Sequence, residues 1–169
     1  VSALTFVLGG ARSGKSRHAE ALVREAGPAP WSYVATAQAF DAEMAERIAR
    51  HRFDRGGGWI TVEAPHDLAA AVEALDTAPA LVDCLTLWVS NRLLAEADVE
   101  AESPRLVRAL RARTGATVVV SNEVGLGIVP DNALSRRFRD AAGRLHQALA
   151  AEADRVHLVV AGLPVVVKG

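Results

Sequence analysis

The sequence predicts an α/β fold, a mainly parallel β-sheet with helices on both faces, and three observations lead there. Short apolar runs such as Leu4 to Leu8 and Ala116 to Ser121 alternate with stretches of helical composition. Runs that are apolar at nearly every position, not at every second one, belong to strands buried on both faces. Half of the 169 residues are hydrophobic, which suffices for one well-buried core but not for two ordinary domains, so residues 1–169 are expected to form a single domain. The third observation is a motif. Gly9-Gly10-Ala11-Arg12-Ser13-Gly14-Lys15-Ser16 fits G-x-x-x-x-G-K-[ST] and falls between a strand-like and a helix-like segment, which is how a nucleotide-phosphate loop (P-loop) is built.

Taken in order, Leu4 to Leu8 is the first strand and Arg17 to Glu25 the helix after the loop, ended by Gly27-Pro28. Trp31 to Thr36, aromatic and β-branched, is the second strand. A helix follows over about Asp41 to Arg52, and Gly56-Gly57-Gly58 breaks it. Trp59 to Glu63 is the third strand, Pro65 to Leu75 a helix with Asp67 near its start, and Pro79 to Cys84 the fourth strand. Leu85 to Ala97 and Pro104 to Arg113 read as helices joined by an acidic connector. Ala116 to Ser121 is the fifth strand; the glycine-containing loop Asn122 to Pro130 leads to a long amphipathic helix over about Asn132 to Ala153. Val156 to Val160 and Pro164 to Lys168 close the chain as two short strands in a hairpin.

The loop implies a nucleoside triphosphate. Its glycines let backbone N–H groups turn inward around phosphates, the helix start adds partial positive charge, Lys15 reaches the outer phosphates and Ser16 can ligate Mg²⁺. In such sheets ligands lie at the carboxyl ends of the strands. That edge collects Ala35-Thr36-Ala37, Glu63, Asp83 and Asn122-Glu123. Asp83, an acid ending the apolar run Ala80-Leu81-Val82, is the favoured Mg²⁺ partner, and Glu123 competes for the role.

Formal net charge is -1 with cations and anions interspersed, so neither a nucleic-acid face nor a polybasic membrane segment is expected. No segment is apolar for long enough to span a bilayer, and the first residues enter a strand without the basic region of an export signal. With the lone Cys84 inside an apolar run, where a core thiol is expected, the chain reads as cytoplasmic. Among five histidines, His18, His66, His146 and His157 read as packing or surface residues. His51 differs, lying among Arg47, Arg50, Arg52 and Arg55 just before the triple glycine. Neutral imidazole is a competent nucleophile at phosphorus, although composition alone favours a solvated basic helix end.

GGARSGKSRHAE, YVATAQAFDAEMAERIARHR, the Trp59-x-x-x-Glu63 strand, LVDCLTLWVSN and SNEVGLGIVPDNALSRRFRDAAGRLHQALA together resemble the bifunctional adenosylcobinamide kinase and adenosylcobinamide-phosphate guanylyltransferase family of cobalamin synthesis. The resemblance covers nearly the whole chain. It implies a RecA-like P-loop NTPase that phosphorylates the aminopropanol hydroxyl of adenosylcobinamide with ATP or GTP. GMP from GTP is then transferred to that phosphate through a guanylyl-histidine, giving adenosylcobinamide-GDP and pyrophosphate. On this resemblance His51 is the guanylylated residue, Arg50 stands where many relatives carry a second histidine, and Lys15 acts with it in catalysis. Nucleotide contacts fall on Gly9 to Ser16, Ala35, Thr36, Ala37, Arg52, Phe53, Asp54, Arg55, Glu63 and Asp83. The resemblance also implies a homotrimer with sites near subunit boundaries; the apolar Leu85, Leu87, Trp88, Leu93 and Leu94 fit either a subunit contact or a buried helix. A plain P-loop kinase is disfavoured by the cation-flanked His51, and a nucleotide switch by the absence of N-K-x-D.

Overall fold

Strands that must bury both faces need a cover on each side, and the chain provides it unequally. The computed structural model describes residues 3–169. Its strands are β1 (Leu4–Gly9), β2 (Trp31–Ala35), β3 (Trp59–Glu63), β4 (Ala80–Asp83), β5 (Thr117–Asn122), β6 (Arg155–Val160) and β7 (Leu163–Lys168). They form one sheet in the order β3-β2-β4-β5-β1-β6-β7. All neighbours are parallel except β6 and β7, which pair antiparallel as a hairpin.

The helices are α1 (Lys15–Ala26), α2 (Ala42–Arg55), α3 (Leu68–Glu73), α4 (Leu85–Leu94), α5 (Val99–Ala112) and α6 (Ala133–Glu152). Successive strand residues point to opposite faces. Phe6, Val82 and Val119 therefore join Leu68, Leu85, Trp88, Leu106, Leu110, Leu145 and Leu149 from α3 to α6. Val7, Leu81, Val118 and Val120 meet Ala19 and Val23 of α1 on the other face. Each fully buried leucine contributes about 1.5–3 kcal/mol, so the four-helix side carries most of the apolar burial. Among the described residues no helix is long and apolar enough to cross a membrane.

Of the boundaries that differ from the sequence reading, two have a direct local cause. The acidic connector before Pro104 is helical, because Asp98 caps α5 by accepting from Ala101 N at 3.0 Å, and Glu100 and Glu102 suit the positive end of the helix. The helix after β3 is shorter than expected, since Asp67 caps it at Ala70 and it closes at Glu73. The apolar helix after β4 is an inner one: Leu85, Trp88 and Leu93 are buried, and Leu94 alone among the five apolar residues singled out there is exposed.

Candidate active site

The phosphate loop leaves the end of β1, where Gly9 lies in register with Asn122 of β5 and Val159 of β6. Arg12 and Gly14 take left-handed conformations, with φ of 54° and 91°, and this alternation turns successive N–H groups toward one point. A side chain at Gly9 would run into Ser13 Oγ and stand 2.9 Å from Val159 O. The turn between β6 and β7 braces the loop from outside, Gly162 N donating to Ser13 O at 2.7 Å. Lys15, the first residue of α1, is buried and donates from Nζ to Gly10 O at 3.0 Å. Burial pushes its pKa below the usual lysine range, against the pull of Cys84 and Asp83 and with help from Arg47. Ser13 Oγ is buried without a hydrogen-bond partner. A phosphate in the loop offers both groups a charged acceptor, a stronger partner than a carbonyl.

Ala35, Glu63 and Asp83 stand level at the same edge. Asp83 is half-buried and its Oδ2 accepts from the Tyr33 hydroxyl at 2.8 Å. Thr36 is fully buried; its hydroxyl donates to Cys84 O at 2.7 Å and accepts from Cys84 N at 2.8 Å, so the side chain ties β2 to the end of β4. The Cys84 thiol is pushed up to about 11 by burial and stays protonated, as expected of a core thiol. Glu123 turns both oxygens back on its own loop, accepting from Gly125 N at 2.7 Å and Leu126 N at 3.2 Å.

His51 lies on α2, which Asp41 caps by accepting from Met44 N at 2.7 Å. Met44, Arg47, Ile48, His51 and Arg55 recur at helical spacing and share one face. The end of that face is tied to α1 by the bond from Arg24 to the Arg55 carbonyl, and the Glu20 carboxyl of α1 is held above its usual range chiefly by burial. Arg55 is buried with its Cζ 3.3 Å from the centroid of the Tyr33 ring, and Arg24 of α1 donates to its carbonyl at 3.0 Å. Arg52, Phe53, Asp54, Ala37 and Glu63 range from half-buried to exposed, with Phe53 85% exposed on the far side of α2. Tyr33 is the residue that sequence reasoning missed, because an aromatic within an apolar strand reads as core; its one signal was the polar tip.

The remaining histidines are held elsewhere. His18 and His157 bond to each other at 2.9 Å between α1 and β6. His146 meets Ser121 at 2.7 Å, and burial lowers its pKa to about 4. His66 contacts Gln38 at 3.1 Å on the surface.

A family model described as cobinamide kinase / cobinamide phosphate guanyltransferase matches residues 5–167. A bifunctional adenosylcobalamin biosynthesis protein, CobP, of Pseudomonas aeruginosa is 52% identical over 97% of this chain and 96% of its own length. The CobU protein of the same description from Salmonella typhimurium is 44% identical over 98% of this chain and 99% of its own. Among solved structures, the RadB recombinase superposes with a TM-score of 0.53 at 17% identity, covering 92% of this chain and 73% of that one. The flagellar accessory protein FlaH from Methanocaldococcus jannaschii gives 0.52 at 12% identity, covering 98% and 78%. At such identities the likeness is one of fold, that of RecA-like P-loop NTPases.

Proposed function

From membership of the cobinamide kinase / cobinamide phosphate guanyltransferase family, to which this chain belongs, we infer two reactions at the edge just described. In the first, the aminopropanol hydroxyl of adenosylcobinamide attacks the γ-phosphorus of ATP or GTP, and the nucleoside diphosphate leaves. In the second, neutral His51 attacks the α-phosphorus of GTP; the bond to the β-phosphate oxygen breaks and pyrophosphate departs. The phosphate of adenosylcobinamide phosphate then attacks the guanylyl phosphorus, yielding adenosylcobinamide-GDP and freeing the imidazole.

The observation that carries this reading is the pairing of a P-loop holding a buried Lys15 with a helix that carries Arg47, His51 and Arg55 on one face and is tied to α1 through the Arg55 carbonyl. Lys15 and the loop amides hold the triphosphate charge. Arg47 and Arg52 add cations where charge builds during transfer. Backbone groups of Ala35, Thr36 and Ala37 with Phe53, Asp54, Arg55, Glu63 and Asp83 complete the nucleotide's surroundings in this proposal.

Mg²⁺ fits Ser16 and Asp83 better than Glu123, whose two oxygens are engaged, whereas among the described residues Asp83 Oδ1 has no hydrogen-bond partner. No three His, Cys, Asp or Glu side chains among the described residues gather into a metal cage, so phosphate and water oxygens would fill most of the shell. Bound there, the ion neutralises phosphate charge.

We read residues 1–169 as one nucleotide-binding domain that works in the cytoplasm as a homotrimer. Exposed Ile128, Leu163 and Val166 supply apolar surface for subunit contacts. Light scattering tests the assembly. The chemistry is tested with α-labelled GTP: label that survives denaturation and alkali but is released by mild acid is expected of a phosphoramidate, and an acid-stable bond or none overturns the second reaction.

A further inference from the structure

Among the described residues of α2, Arg55 is the one that is buried. Its Cζ lies over the Tyr33 ring, 3.3 Å from the centroid, with Nε buried and without a hydrogen-bond partner. The aromatic face is thus the direct contact of this cation, with the Glu20 carboxylate near enough to feel its charge. The ring is itself steadied edge-on by Trp59, with centroids 6.0 Å apart at 89°. Its hydroxyl reaches Asp83 at 2.8 Å. One side chain thus touches both the end of β4 and the last residue of α2.

We propose that Tyr33 is a positioning residue for guanylyl transfer: its ring seats Arg55, its hydroxyl holds Asp83, and the pair registers the His51 face of α2 against the phosphate loop. This rests on the reading of His51 as the guanylyl acceptor. His51 precedes Arg55 by one turn, about 6 Å along the axis. The rest of the helix offers little to hold it, since Met44 and Ile48 are half-buried and the other residues exposed. Arg24 fixes the same end by donating to Arg55 O. The position of His51 is accordingly set from the Arg55 end. Phosphorylation of the corrinoid alcohol does not use His51, so it reports damage to the fold, to Asp83 or to the nucleotide's surroundings separately.

Ring and hydroxyl can be separated by substitution. The test uses the full chain as parent, Tyr33→Phe, Tyr33→Leu and Arg55→Met, with two rates measured on each: self-labelling by saturating α-labelled GTP, and transfer from γ-labelled ATP to adenosylcobinamide. Tyr33→Phe keeps the stack and should label within about twofold of its own phosphorylation loss. Tyr33→Leu should label about 10- to 100-fold more slowly than Tyr33→Phe, with phosphorylation and the KM for GTP close to those of Tyr33→Phe. Arg55→Met also takes a cation from the nucleotide's surroundings, so its labelling is read against its own phosphorylation rate; on that ratio it should match Tyr33→Leu, and the double variant should be no lower than either, as for two halves of one contact.

Equal labelling by the Phe and Leu variants overturns the proposal. So does a parallel fall of both rates, which marks a merely structural role. Should Tyr33→Leu not fold, the same criteria applied to Arg55→Met and Tyr33→Phe decide. Retention of label by His51→Ala is a separate failure, of the acceptor assignment itself.

Discussion

Two helices border the site and are held very differently. α1 buries Lys15, Ala19 and Val23 against the central strands, and its loop is tied to the last hairpin through Ser13 and Gly162. α2, two residues longer at 14 against 12, hangs from Arg55. The phosphate-holding half is pre-organised, as electrostatic stabilisation requires, whereas the half that carries His51 has little apolar burial and belongs to the low-stability end of the molecule. The difference suits the two reactions proposed above, of which only the second takes its nucleophile from the protein.

The sharpest way to break this comparison is His51→Ala. It should abolish covalent guanylylation and the second reaction while corrinoid phosphorylation continues, each followed with labelled nucleotide; loss of both would mean that α2 also serves the kinase step. Lys15→Ala strikes the other half. Both reactions should slow by about 30- to 1,000-fold, a loss of about 2–4 kcal/mol, in steady-state assays of each. A smaller effect separates the two acids: Asp83→Asn should slow both reactions by roughly 10- to 100-fold and raise the Mg²⁺ concentration needed. Glu123→Gln should act by loosening the loop after β5, with an unchanged Mg²⁺ requirement in the same titration.

The smallest expected effect is on stability. His18, His146 and His157 all have pKa values lowered by burial, and all lie on the α1 side or beneath β5, none on α2. A folded-state pKa below that of the unfolded chain means that the unfolded form takes up protons first, so their stabilisation is complete above about pH 6.5 and is lost as pH falls. For His146, lowered to about 4, the loss between those values is about 1–3 kcal/mol. Urea unfolding at pH 7 and pH 4.5 should show it, and His146→Gln, which can still bond Ser121, should flatten the change.

What was legible in the sequence was local. The phosphate loop is a contiguous motif whose glycines and lysine act through neighbouring backbone, and the parallel sheet announced itself through apolar runs. Asp98 escaped because Pro104 and the surrounding acids resemble a connector, although a cap followed by first-turn glutamates is also how a helix begins. The inner position of Leu85 and Trp88 was undecided, because an apolar helix looks alike whether covered by its own chain or by another. Tyr33 was illegible for a tertiary reason: what distinguishes it from a core aromatic is the guanidinium of Arg55 laid on it from another element, and periodicity along the chain carries no sign of that.

The bond from Gly162 to Ser13 has a consequence for which substitutions the loop tolerates. Gly14 and Gly162 both have positive φ, and a β-carbon on Gly14 would stand 3.1 Å from the Gly162 Cα. A side chain on Gly14 would thus press on the final hairpin, whereas one on Gly162 would meet only the Arg17 guanidinium at 3.8 Å and is opposed by its own left-handed backbone. A library that varies the hairpin while leaving the motif intact would still reach the loop wherever it shifts the Gly162 N–H that Ser13 O accepts.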